Sequence, residues 1–139
     1  MNLKSLPLEE IPLSHEWSSI ELSKQLSEEM PARTKAVFLY GSFPPGMANE
    51  LHRYIPTVTS EEISGQKKFD AVIAADLEGS TVEIKRHLLT MKNLTSANGE
   101  IIVLYKEDHG VLEVAKKCFT EAEVSPFPIG EASFIVFMP

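Results

Sequence analysis

The sequence has few of the residues and segments that form disulfides, span membranes or bind metal ions. Cys118 is the single cysteine among 139 residues, so the chain cannot form an internal disulfide or a cysteine metal cluster. No apolar run approaches the roughly 20 residues that a membrane-spanning helix needs. The four histidines lack the His-x-x-x-His spacing of a helical metal site. We therefore expect no resident metal and no membrane partner.

Positive charge is also scarce. Thirteen Lys and Arg stand against twenty Asp and Glu, which gives a formal net charge of −7 and a pI near 5.1. Such a chain repels polyanions, so we expect neither nucleic acid nor an anionic membrane surface as a partner. Residues 1–16 have no basic segment followed by an apolar core and do not resemble a secretory signal. With one cysteine, a cytoplasmic location is expected.

The most informative stretch covers residues 68–81. Residues 71–75 form a continuous apolar run, which is typical of a strand covered on both faces. Residues 76–79 interrupt the run, and Ser80 with Glu83 then gives the Ser-x-x-Glu pattern of a capped helix. A buried strand followed at once by a capped helix is half of a βαβ unit and predicts a parallel sheet.

The rest of the chain continues this alternation, and we expect residues 1–139 to form one domain with an irregular arm at 1–17. Apolar runs predict strands at 35–40, 55–59 and 100–105 and a final hairpin with strands at 122–127 and 132–138. Apolar spacing predicts helices at 18–30, 47–54, 81–93 and 111–118. Residues 96–99 are predicted to form a turn, and His87 is predicted to lie on the solvated side of its helix. The predicted core contains Val37, Leu39, Val72, Ile73, Leu88, Ile102, Val114, Ile135 and Phe137.

This order of elements strongly resembles the class I methyltransferase fold. The segment 69–73, the Asn98-Gly99 turn leading into 101–103 and the apolar last strand extend the resemblance over residues 35–138. The resemblance implies a three-layer, Rossmann-like α/β fold, with a mostly parallel sheet that ends in an antiparallel hairpin. It also implies a glycine-rich loop after the first strand, where active members bind S-adenosylmethionine.

The loop after the first strand departs from that pattern. Between Gly41 and Gly46 it carries Phe43, Pro44 and Pro45. Glycines allow a cofactor to approach the backbone closely, whereas prolines remove amide donors and stiffen the turn. Phe43 is expected either to fill the cofactor space, to contact a partner, or to form part of an ordinary turn.

The connection before the central strand is short as well. Residues 60–68 are too few for a crossover with a strand of its own. The shortened plan resembles the N-terminal methyltransferase-like domain of the anamorsin family of cytosolic iron–sulfur assembly factors. The likeness lies at Phe69-Asp70, at Leu77, at Gly79-Ser80-Thr81 and in the turn into Gly99. It implies a domain that lacks a full cofactor site and acts as an interaction module.

Candidate site residues follow the strand ends, where open α/β sheets bind ligands. Gly41, Ser42 and Gly46 form either a remnant nucleotide loop or a plain strand-to-helix turn. Glu61 follows the second strand, about 20 residues beyond Gly41, and either binds ribose hydroxyls or is solvated. Asp76 ends the central strand, where it either orients or deprotonates a substrate or shapes the loop before the helix cap.

The favoured interpretation is a degenerate methyltransferase-like domain that serves as a non-catalytic interaction or scaffold module. It predicts a protein partner and no cofactor, with S-adenosylmethionine bound no tighter than about 1 mM. One alternative is an active S-adenosylmethionine-dependent methyltransferase that acts on a small molecule. Another is a small nucleotide-binding sensor. The sequence does not define the oligomeric state.

Overall fold

The computed structural model describes residues 18–41, 43, 46–60, 68–105, 110–119, 122–127 and 132–137. Its helices are α1 (Ser19–Glu29), α2 (Met47–Leu51), α3 (Thr81–Leu94) and α4 (Val111–Cys118). Its strands are β1 (Ala36–Tyr40), β2 (Thr57–Thr59), β3 (Phe69–Ala75), β4 (Thr95–Tyr105), β5 (Ala122–Phe127) and β6 (Ala132–Phe137). The predicted arm at 1–17 lies outside the described residues.

The strands form one sheet in the order β2-β1-β3-β4-β6-β5. The first four of these strands run parallel, and β6 is antiparallel to both β4 and β5. Ile73 of β3 pairs with Leu39 on one side and with Ile102 on the other. The predicted central position of this strand and the predicted antiparallel ending are therefore confirmed.

Alternate strand residues pack into two different helical layers. Leu39, Ile73 and Ile102 pack with α1 and α2 on one face of the sheet. Their neighbours Val72 and Val103 pack with α3 and α4 on the other face. The predicted three-layer architecture is confirmed, because both faces of the sheet are covered by helices. Eight of the nine predicted core residues are buried, namely Val37, Leu39, Val72, Ile73, Leu88, Ile102, Val114 and Ile135. The side chain of Phe137 lies outside the described part.

The predicted capping box fixes the start of α3. Glu83 donates its backbone N–H to the Ser80 hydroxyl at 3.2 Å, and the Ser80 N–H donates to the Glu83 carboxylate at 2.8 Å. This bond from the Ser80 N–H lowers the pKa of the Glu83 carboxyl. Both contacts satisfy amides that would otherwise lack partners at the helix start. Five residues therefore separate the end of β3 from the start of the helix.

The prediction of a turn at 96–99 is wrong, because these residues form a bulge within β4. Thr95 pairs with Phe69 and Glu100 pairs with Ala71, so residues 96–99 lie opposite Asp70 alone. A β-carbon on Gly99 would lie 2.8 Å from the Asp70 carbonyl oxygen and 2.9 Å from that of Phe69. The glycine is needed for close approach of two backbones rather than for chain reversal.

Two short elements are smaller than predicted. Helix α2 ends at Leu51 instead of residue 54, and β2 begins at Thr57 instead of residue 55. None of the described helices is long and apolar enough to cross a membrane. Within the same residues, no group of three His, Cys, Asp or Glu side chains is placed to hold a metal ion.

Candidate functional site

Gly41 opens the carboxyl end of β1. Its φ of +88° is a left-handed conformation that favours glycine, and a β-carbon there would meet no atom within 4 Å. Gly46 is also left-handed, with φ of 81°, and stands at the N-cap of α2. Of the predicted loop, Ser42, Pro44 and Pro45 lie outside the described residues. The two described glycines leave backbone accessible at both ends of the loop.

A cavity of about 230 Å³ lies beside these two glycines. Its wall includes Ser60, which directly follows β2, so the cavity extends across the carboxyl ends of two neighbouring strands. The remaining lining residues are Leu39, Phe43, Met47 and Ala48. Crevices at the strand ends of open α/β sheets are where such folds bind ligands. The geometry is that of a small ligand site.

A second cavity of about 320 Å³ shares Gly41 and Ser60 with the first. It extends along the face of the sheet covered by α3, where Tyr40 and Thr90 line it. The Gly41 backbone therefore borders two cavities at the same strand end.

Phe43 lines the first cavity without filling it. The ring is half-buried and packs against the cluster of α1 and α2 side chains. The volume of about 230 Å³ remains with the ring in this position. Phe43 therefore forms part of the cavity wall and leaves this volume open.

Asp76 follows β3 with φ of 50°, the only positive φ of a non-glycine residue in the described ranges. Its backbone N–H donates to the Leu104 carbonyl at 2.7 Å, which joins the strand end to β4. Tyr40 pairs with Ala74, so Asp76 and Gly41 follow the ends of neighbouring strands. A left-handed aspartate costs about 1–2 kcal/mol, and such residues concentrate at functional sites. Both predicted roles of Asp76, in the loop and toward a substrate, are compatible with this position.

His87 was predicted to be solvated, and that prediction is wrong. The imidazole is half-buried, and its Nδ1 lies 2.7 Å from the Tyr40 hydroxyl oxygen. The two rings meet edge to face, with centroids 5.6 Å apart. The sequence signal was present, because His87 lies three residues after Ile84 and one before Leu88, both buried. It thus borders the apolar stripe of α3.

Two further sequence candidates lie outside the described part of the chain. One is Glu61, a candidate either for binding ribose hydroxyls or for a solvated loop position; it follows Ser60 directly in the sequence, and Ser60 lines both cavities. The other is His109 in the segment 106–109, which is predicted to be a loop that reaches the same edge of the sheet as Asp76. The structure therefore brings Gly41, Gly46 and Ser60 to one cavity and Asp76 to the neighbouring strand end.

No protein-family model and no curated protein matches this chain. Solved structures match its fold. One match is CalS10 from Micromonospora echinaspora, a SAM-bound amino pentose methyltransferase. The alignment covers 99% of this chain and 100% of the CalS10 chain, with a TM-score of 0.59 and 10% sequence identity. The fold is methyltransferase-like. The N-methyltransferase NodS from Bradyrhizobium japonicum WM9 covers 94% of this chain and 98% of its own, with a TM-score of 0.56 and 11% identity.

PigF with SAH also matches, over 84% of this chain and 60% of its own, at a TM-score of 0.57 and 12% identity. These neighbours correct the prediction of no cofactor for this chain. The structures that share it include one with SAM and one with SAH. The prediction of no binding tighter than about 1 mM rests mainly on Pro44 and Pro45, which lie outside the described residues.

Proposed function

We propose that this chain is an S-adenosylmethionine-dependent methyltransferase that acts on a small molecule. The observation that carries the proposal is the open space beside Gly41, at the end of β1. A left-handed glycine with no atom near its missing side chain lets a ligand approach the backbone. The similarity to methyltransferases solved with SAM or SAH supports the identity of that ligand.

The residues at this strand end suit a polar cofactor. Gly41 and Gly46 expose backbone, and Ser60, a residue with a hydroxyl group, lines the cavity. Glu61 remains the predicted partner of ribose hydroxyls. When bound, S-adenosylmethionine supplies an activated methyl group. The acceptor is proposed to lie toward Asp76, whose carboxylate would orient it or accept its proton.

The second candidate is the non-catalytic interaction module that binds a protein partner. It is supported by the shortness of the connection between β2 and β3, which is only residues 60–68. The resemblance to the anamorsin-family domain belongs to this candidate. A nucleotide-binding sensor is the third, since it would use the same cavity without transferring a methyl group.

Isothermal titration of the purified chain with S-adenosylmethionine and S-adenosylhomocysteine separates these candidates. The proposal expects binding tighter than about 100 µM, or roughly −5.5 kcal/mol. A folded chain that gives no heat with either ligand at about 1 mM would leave the interaction module as the better account.

Methyl transfer is tested next, with methyl-labelled cofactor and a mixture of small alcohols, phenols and amines. Label recovered in a small product supports the enzyme. Cofactor binding without transfer to any of these acceptors would instead favour the sensor.

A further inference from the structure

A cavity of about 310 Å³ lies at the amino end of the parallel strands, opposite the proposed methyltransferase site. Three segments form it: the connection from α1 to β1, the start of β3 and the bulge of β4. Its polar lining includes Arg33, Thr34, Asp70, Asn98 and Glu100. Its volume is at the lower end of small-molecule sites, which span roughly 300–1,000 Å³. A ligand here would be small.

The cavity walls are held by backbone contacts. The Asp70 Oδ2 atom accepts the backbone N–H groups of Lys35 at 2.8 Å and Ala36 at 2.9 Å. The close approach of Gly99 to the Asp70 carbonyl holds the bulge, and with it Asn98, against β3. The backbone segments that carry the polar groups are therefore positioned before any ligand arrives, which reduces the entropy cost of binding.

Thr34 is the one polar residue of this lining that is buried. It lines the cavity with only 6% of its surface exposed. Its backbone N–H donates to the Pro31 carbonyl, but its hydroxyl makes no hydrogen bond to the described protein atoms. Buried hydroxyls in native structures nearly always have a partner. A bound molecule would supply one.

Glu100 adds a carboxylate that no ion pair of the described residues includes. Burial raises the pKa of its carboxyl, and the positive charge of Arg33 opposes this shift only in part. A cation beside Glu100 would favour the ionised carboxylate. Among the described residues, no three His, Cys, Asp or Glu side chains are placed to hold a metal ion, so the cation proposed here is organic.

We propose that this cavity binds a small zwitterion of the amino-acid class. The protonated amine would donate to the Glu100 carboxylate and the Thr34 hydroxyl, which are acceptors for an ammonium group. The carboxylate of the ligand would lie toward Arg33, the exposed cation of the lining. This inference is independent of the proposed methyl transfer, because the two sites are at opposite edges of the sheet.

The test titrates the common L-amino acids singly, to about 10 mM, while amide resonances of Asn98 and Gly99 are followed by NMR. Acetate and methylamine serve as controls, because each carries only one of the two charged groups of an amino acid. At least one amino acid should shift these resonances saturably and bind at least about tenfold tighter than acetate or methylamine. The reason is that the loss of one charged contact weakens affinity by roughly tenfold. No shift with any amino acid, or equal binding of methylamine, would overturn the assignment.

Matched variants then locate the site. Thr34→Val and Glu100→Gln should each weaken binding about tenfold or more. Thr57→Val and Glu123→Gln change the same groups at exposed positions and should bind like wild type. Amide spectra first establish that each variant is folded. Unchanged affinity in folded Thr34→Val and Glu100→Gln would contradict the proposal, whatever the chain does with S-adenosylmethionine.

Discussion

The hydroxyl oxygen of Tyr40 lies 2.7 Å from Nδ1 of His87, which joins the last residue of β1 to the middle of α3. Tyr40 also lines the cavity that begins at Gly41. The contact thus holds one wall of the second cavity, which shares Gly41 and Ser60 with the proposed cofactor site, against the helix behind it.

Removing that hydroxyl should loosen this wall without creating a large cavity. Tyr40→Phe should lower the free energy of unfolding by about 0.5–1.5 kcal/mol, as for a typical hydrogen bond. Urea denaturation measures the change. Tyr54→Phe is the control, because Tyr54 is 46% exposed and its substitution should change stability by less than about 0.5 kcal/mol. Equal effects of the two variants would mean that the contact adds nothing.

Gly99→Ala should destabilise the fold although alanine is small. The added carbon would lie 2.8 Å from the Asp70 carbonyl oxygen, so the strands must separate, at a cost of about 1–3 kcal/mol. Thermal unfolding provides the measurement. Ala97→Ser changes an exposed residue of the same bulge and should be nearly neutral. A Gly99→Ala protein as stable as wild type would show that the bulge is placed incorrectly.

Ile73→Ala tests whether β3 is central. Ile73 has no exposed surface and pairs with β1 and β4, so truncation should leave a cavity and cost about 2–5 kcal/mol. Val82→Ala is the comparison, because Val82 is 66% exposed on α3. An unchanged urea midpoint for Ile73→Ala would place this strand at an edge.

Glu100 should make stability fall as pH rises. Burial raises its pKa in the folded chain above the ordinary value of 4.5. Between those two pKa values the folded chain binds more protons than the unfolded chain, so stability is lost as pH rises through the window. Glu100→Gln should therefore be more stable than wild type at neutral pH, with the difference closing below about pH 4.5. Urea midpoints across this range measure it.

Glu83 provides the control of opposite sign. Its pKa is lowered by the bond from the Ser80 N–H, so it stabilises the fold above pH 4.5 and loses that contribution as pH falls. Glu83→Gln should be less stable than wild type at neutral pH. If Glu83→Gln and Glu100→Gln changed the stability at neutral pH in the same direction, these assignments would be refuted.

Local sequence patterns were sufficient for much of the fold. The apolar run at 71–75 predicted β3, and the Ser80–Glu83 pattern predicted the start of α3, because each signal lies within a few consecutive residues. The Asn98-Gly99 pair marked a special backbone position, but whether it forms a turn or a bulge depends on the register with β3. That register is set by long-range packing.

The candidate site was harder to predict for the same reason. The strand ends at Gly41 and Asp76 followed from topology, since parallel strands bring their carboxyl ends to one edge. Whether Phe43 fills or borders the cavity depends on the α1 and α2 side chains it packs against. The pairing of His87 with Tyr40 joins residues 47 positions apart. No local pattern indicates either contact.

The most direct test of the cofactor proposal compares two glycine variants by titration with S-adenosylmethionine. Gly41 and Gly110 are both left-handed with no atom within 4 Å of a β-carbon, so Gly41→Ala and Gly110→Ala should carry a similar backbone strain of about 1–2 kcal/mol. Of these two glycines, only Gly41 lines the two cavities at the carboxyl end of β1. The account predicts that Gly41→Ala weakens binding about tenfold or more, or 1.4 kcal/mol, while Gly110→Ala binds like wild type. Equal affinities for the two variants would contradict it.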